Sequence, residues 1–90
     1  MIILQPFQLV ELIVTNNPLK HISKDINQHI HLKTLRLSYC QLIHIDNIDY
    51  QLLSSLINLD ISNNKLTSIP IELYQYANNL EYLSLGTINK

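Results

Sequence analysis

Tryptophan is absent from this sequence, and phenylalanine, glycine, cysteine and methionine occur once each. Each scarcity excludes something. With Gly86 as the single glycine, no Gly-rich loop can wrap its backbone around a phosphate. With Cys40 as the single cysteine, no internal disulfide can form, which fits a reducing compartment. The sequence also lacks an Asn-x-Ser/Thr glycosylation site, and an intracellular, cytoplasmic protein is expected. Charged residues make up only 14% of the chain and the net charge is −1. No broad field is therefore available to draw nucleic acid or anionic lipid. HExxH, GxSxG and CxxC motifs are missing too, so no catalytic set, cofactor or metal is expected, and the chain reads as a non-enzyme. The opening residues 1–14 are apolar, but Gln5, Pro6, Gln8 and Glu11 interrupt them and no cationic start or small-residue cleavage site accompanies them. They are too short and polar to span a bilayer and read as the first piece of the fold.

What the chain has in abundance is Leu and Ile, which dominate an apolar content of 47% over 90 residues. A single small domain is the expectation at this length. The aliphatic residues recur. Segments beginning at Leu9, Leu32, Leu56 and Leu80 align, in steps of 23, 24 and 24 residues. Apolar residues fall at offsets 0, 3 and 5 of each, as in Leu32, Leu35 and Leu37 or Leu56, Leu59 and Ile61. The first three segments continue to Leu19, Leu42 and Leu66 and then to Ile22, Ile45 and Ile69. Offsets 3 and 5 alternate, so their side chains share one face of a short strand. Strands one repeat apart would stack in parallel about 4.8 Å apart, each unit burying its neighbour's aliphatic face.

The pattern L-x-x-L-x-L-x-x-N/C-x-L, with Asn17, Cys40 and Asn64 in the Asn/Cys slot, resembles the leucine-rich repeat family. The third unit, LINLDISNNKLTSIPIELYQYANN, resembles its 24-residue typical class throughout, and the resemblance covers residue 9 to the end. It implies an α/β solenoid: a right-handed superhelix with a short parallel sheet on the concave face and irregular, 3₁₀ or short helical segments on the convex face. Residues 9–31, 32–55 and 56–79 are the expected full repeats. Residues 80–90 form a truncated one, and residues 1–8 a partial repeat or N-terminal cap built on Ile2, Ile3, Leu4 and Phe7. An amide in the Asn slot can turn inward and pair backbone groups of its own and adjacent coils, with Cys substituting as a small buried residue with a weak donor. Asn17, Cys40 and Asn64 are therefore the expected structural ladder.

On the convex side, Ile22 and Ile26, and Ile69 and Leu73, stand four apart, as in a helical or 3₁₀ turn facing the core. In the second unit Ile48 arrives one residue early and Leu52 and Leu53 follow, so residues 46–55 should have their own geometry. No capping segment follows Leu85, and Leu83, Leu85 and Ile88 should face outward from the last coil.

Two side-chain groupings invite chemistry. His21 and His44 should stack on adjacent coils, but Ser68 follows them in that row and no third metal ligand is placed. Asp46 and Asp49 flank Asn47, too sparsely for a calcium loop, and read as turn formers. His29 and His31 read as the solvated side of the return segment.

The informative surface is the outward sheet face, where side chains vary over a constant frame. Offset 4 reads Ile13, Arg36, Asp60, Ser84, offset 2 reads Glu11, Thr34, Asn58, Tyr82, and offset 7 reads Asn16, Tyr39, Asn63, Thr87. Ile13, Arg36, Tyr39, Asp60, Asn63 and Tyr82 are the candidate partner contacts, because Arg and Tyr are enriched among interface hot spots. Arg36 and Asp60 are expected to form an exposed cross-strand ion pair.

The resemblance implies a non-catalytic module that binds another protein through this face, without nucleic acid, membrane or cofactor. One alternative is a structural segment of a longer array or assembly, docking further repeats or a second copy through an uncapped coil. Another is the substrate-recruiting part of a multidomain enzyme, as in some ubiquitin ligases that carry such repeats.

Overall fold

The computed structural model describes residues 8–88. The segment carrying Ile2, Ile3, Leu4 and Phe7, expected to start or cap the stack, lies outside the described residues. Within them, strands β1 (Glu11–Ile13), β2 (Thr34–Arg36), β3 (Asn58–Asp60) and β4 (Tyr82–Ser84) form one parallel sheet in sequence order. Leu12, Leu35, Leu59 and Leu83 stand opposite one another in register, so the 23–24-residue step places equivalent residues side by side.

Each strand spans only three residues, yet the pairing extends well beyond it. Just before the strands, Lys33 donates its N–H to Val10, Ile57 to Lys33 and Glu81 to Ile57, at 2.7–2.8 Å. Just after them, Val14 donates to Arg36, Leu37 to Asp60 and Ile61 to Ser84, at 2.8–2.9 Å. Every coil repeats these bonds at the same offset because every coil has the same path. The result is a solenoid-like stack.

The return segments differ from coil to coil, as their sequences do. The first makes a 3₁₀ turn, Lys24–Gln28, burying Ile26 and capped by the Ser23 hydroxyl, which accepts from the Asp25 N–H. The second makes helix α1 (Tyr50–Ser55), buried through Leu52 and Leu53. Asp49 caps it by accepting the Leu52 N–H at 3.0 Å, satisfying a helix-end donor. The third makes α2 (Ile71–Tyr76), entered through Pro70, with Glu72 in the first turn where the helix dipole favours a carboxylate, and Leu73 facing inward. The early Ile48 and the Leu52–Leu53 pair thus mark a full helical turn in the second return.

The core contains only apolar side chains among the described residues. It is deepest in the middle coils: Leu32, Leu35, Leu42, Leu56 and Leu59 have no exposure, whereas Leu83 is 41% exposed at the same offset as Leu35 and Leu59. Leu19, expected inside with Leu42 and Leu66, is exposed. No further coil lies against that side of the first one among the described residues, so the repeat places an apolar residue there without a partner.

Gly86 occupies a left-handed position, φ +66°, where an added Cβ would stand 3.1 Å from the Cα and Cβ of Ser62. The chain's single glycine therefore sits where both the conformation and the neighbouring coil exclude a side chain.

Candidate functional site

The outward face of the sheet is set by strand geometry: when Leu12, Leu35 and Leu59 turn in, the residues on either side must turn out. Ile13, Arg36, Asp60 and Ser84 form one row across the four strands, and Glu11, Thr34, Asn58 and Tyr82 form the next. Thr34 and Asn58 are tied within the second row by an amide–hydroxyl hydrogen bond of 3.1 Å.

Arg36 and Asp60 are register partners, but their side chains go elsewhere. Asp60 turns along its own strand, accepting from the Ser62 N–H at 3.0 Å and the Ser62 hydroxyl at 2.7 Å. Arg36 reaches across β3 and places its guanidinium 5.7 Å from the ring centre of Tyr82. The expected ion pair is thus replaced by two arrangements that suit exposed groups better. The carboxylate is satisfied locally, without freezing two long side chains. The cation–π contact contributes about 0.5–1 kcal/mol in water, as much as an exposed ion pair. Their result is a composite platform that couples β2 to β4.

Tyr39 and Asn63 lie apart from these rows, on the loops that leave the strands. With Asn16, Pro18, Gln41, Asn64 and Lys65 they line a shallow trough of about 560 Å³. Asn16, Tyr39 and Asn63 all have left-handed backbones, with φ of 55°, 55° and 57°. This offset was expected to be free to vary, but its conformation favours Asn, whose short side chain tolerates φ > 0. Asn63 is therefore accounted for by backbone geometry before any contact role.

Tyr39 is the exception: a bulky residue in the same conformation, with 57% of its surface exposed. Left-handed geometry costs an ordinary L-residue about 1–2 kcal/mol, and its ring recovers little of that by burial. Tyr39→Asn is expected to raise folding stability by about 0.5–1 kcal/mol, measured as a higher urea midpoint at unchanged m-value.

Behind the trough, Asn64 turns inward. Its Oδ1 accepts from the N–H groups of Cys40 (2.9 Å) and Leu42 (3.0 Å) in the preceding coil. Its Nδ2 lies within hydrogen-bond distance of the carbonyls of Leu37 (2.9 Å), Ile61 (2.9 Å) and Ser62 (3.2 Å). Cys40 is fully buried, its thiol 3.2 Å from the Val14 carbonyl of the coil before. Asn17 differs. It is exposed and donates only to the Thr15 carbonyl of its own coil, because a ladder residue reaches backward and no earlier coil is among the described residues.

A second set of cross-coil bonds, on the return side, had no signal in the repeat pattern. Asn47 donates to the Ile22 carbonyl at 2.7 Å, and Asn27 donates to the Asn47 carbonyl at 2.8 Å. Asn27 also accepts the Asp49 N–H at 3.0 Å, and Asn79 donates to the Ser54 carbonyl at 2.7 Å. His29, expected to be solvated, is half-buried and accepts the Leu9 N–H on its Nδ1 at 3.1 Å, closing the first coil on itself. Among the described residues, no group of three or more His, Cys, Asp or Glu could hold a metal ion.

The Leucine Rich Repeat family model matches residues 31–52 and again residues 55–76, the second and third coils. The chain is a leucine-rich repeat protein. No curated protein and no solved structure gives a significant match to it. The two matched repeats are the ones whose coils are covered on both sides, while the strand register carries the same path to β1 and β4 of the leucine-rich repeat stack. No helix among the described residues is long and apolar enough to cross a membrane.

Proposed function

We propose that this leucine-rich repeat protein holds another protein on the outward face of its sheet and performs no catalysis itself. Leucine-rich repeat domains generally mediate protein–protein interaction. The observation that favours this face is the Arg36–Tyr82 platform, two residues of the hot-spot type stacked across β3 in the unbound chain. Being stacked already, they lose less side-chain freedom on binding than two independent long side chains would. Ile13 adds an exposed apolar contact beside Arg36, and Tyr39 adds an aromatic at the edge of the trough. The coils are taken to wind right-handed, the hand that parallel strands joined by crossover segments adopt. A reducing, intracellular setting suits the single buried thiol of Cys40.

The test is the double variant Arg36→Ala/Tyr82→Ala, against a partner recovered by photo-crosslinking from Thr34. Affinity should fall by about 2 kcal/mol or more, roughly thirtyfold, with the melting curve nearly unchanged. Equal affinity in the double variant would refute this face.

A second reading, stacking of another coil or a second copy against β4, is favoured by the exposed Leu83. Sedimentation of the chain should then show concentration-dependent self-association. A monomer at millimolar concentration would count against pairing of copies.

A further inference from the structure

The return side of the second and third coils carries a groove of about 350 Å³ that neither the repeat pattern nor the sheet face explains. Its apolar lining is Ile45, Ile48, Leu53 and Pro70, with Tyr50 and Tyr76 also lining it. The two tyrosine rings lie 5.5 Å apart between centroids and are tilted 47° to each other, brought together by the packing of α1 on α2. Asp46, Asp49 and Glu72 complete the lining.

The charge distribution singles this groove out. Those three carboxylates are three of only seven acidic residues in the chain, and no Lys or Arg lines the groove. The chain as a whole carries −1, so the acid is concentrated here, and the remainder of the molecule is correspondingly net basic. Asp49 has a structural task, since one of its oxygens caps α1 through the Leu52 N–H. Asp46 and Glu72, both exposed, cap no backbone group, and Glu72 adds only its charge to the first turn of α2.

We propose that this groove receives a basic side chain, Arg or Lys, from an extended segment of a partner protein. The chemistry is complementary part by part. A long aliphatic stem lies against Pro70 and the tyrosine rings, over a floor of the nearly buried Ile45, Ile48 and Leu53, while the cationic head meets tyrosine rings and carboxylates together. Arg fits best, because its planar guanidinium stacks on an aromatic ring and forks onto a carboxylate at once. This surface is separate from the Arg36–Tyr82 platform, so the two readings stand or fall independently.

The probe is a blocked peptide, acetyl-Gly-Arg-Gly-Arg-Gly-amide, titrated into ¹⁵N-labelled chain at low salt. Chemical-shift changes should centre on Tyr50, Leu53, Glu72 and Tyr76 and weaken as salt is raised. Asp46→Asn/Glu72→Gln, which leaves the Asp49 cap in place, should weaken binding at least fivefold while lowering the melting temperature only slightly, through the carboxylate lost at the start of α2. The citrulline peptide, isosteric but uncharged, should bind no better than that variant does. Shifts centred on the sheet face, equal binding of the citrulline peptide, or an unchanged affinity in the double variant would each overturn the assignment.

Discussion

Replacing Leu59 with Ala is expected to cost about 2–5 kcal/mol of folding stability, the range for truncating a buried leucine. Leu59 has no exposure, lies in β3 with strands on both sides, and stands between Leu35 and Leu83 in the inward row. Its neighbours are held by backbone bonds at both ends of the strand, so the site cannot close over the lost methyls. Stability in a small domain is about 5 kcal/mol at the low end, so the variant should be largely unfolded at 37 °C by circular dichroism. Leu83→Ala supplies the control. It removes the same atoms at the same offset from a residue already 41% exposed and should cost much less. Equal losses from the two would mean that the coils do not share a core as described.

Asn64→Ala is expected to be almost as damaging, at about 3–5 kcal/mol, although it deletes no apolar surface. The amide accepts from the backbone of Cys40 and Leu42 and sits against the carbonyls of Leu37, Ile61 and Ser62. Alanine would leave the N–H groups of Cys40 and Leu42 and the carbonyls of Leu37 and Ile61 without this partner at the seam between the second and third coils, while the Ser62 carbonyl keeps the Tyr39 N–H. Each buried group left so costs about 1–3 kcal/mol, and relaxation and water entry recover part of the sum. Asn64→Asp should fall between, because it keeps the acceptor for Cys40 and Leu42 but loses both donors. Asn17→Ala, at the same position of the first coil, should cost under about 1 kcal/mol, since among the described residues Asn17 makes one exposed local bond. Urea denaturation of the three variants checks the order. A loss at Asn17 as large as at Asn64 would show that the first coil is backed by chain that Asn17 also reaches.

How far the sequence was legible depended on which atoms carried the information. The spacing of Leu12, Leu35, Leu59 and Leu83 already contained the parallel register, because residues one repeat apart must lie side by side once their aliphatic faces stack. It also contained the outward rows through Arg36 and Tyr82, since strand alternation leaves no other choice. The inward turn of Asn64 was legible for a similar reason: a polar residue at a fixed step in an apolar repeat must pair with backbone.

Side-chain direction within the outward rows was not legible. Arg36 and Asp60 are opposite in register, yet the carboxylate finds Ser62 two residues away and the guanidinium finds Tyr82 two strands away. Neither choice follows from spacing, because several contacts of about equal energy lie within reach of a long side chain. Nor did offset 7 announce its left-handed backbone, which turns Asn63 into a conformational choice and makes Tyr39 the costly exception.

The sequence alone determined that this chain is a stack of aliphatic coils with a polar, variable sheet face, because periodicity decides what is buried and what is not. Only the tertiary structure decided which polar groups meet. It joined Asn27, Asn47 and Asp49 into a second seam, gave Gly86 its contact with Ser62, and gathered Tyr50 and Tyr76 with Asp46, Asp49 and Glu72 around one groove. These residues lie on return segments whose lengths and turns differ from coil to coil. Their meeting is set by how neighbouring coils pack rather than by any period in the chain.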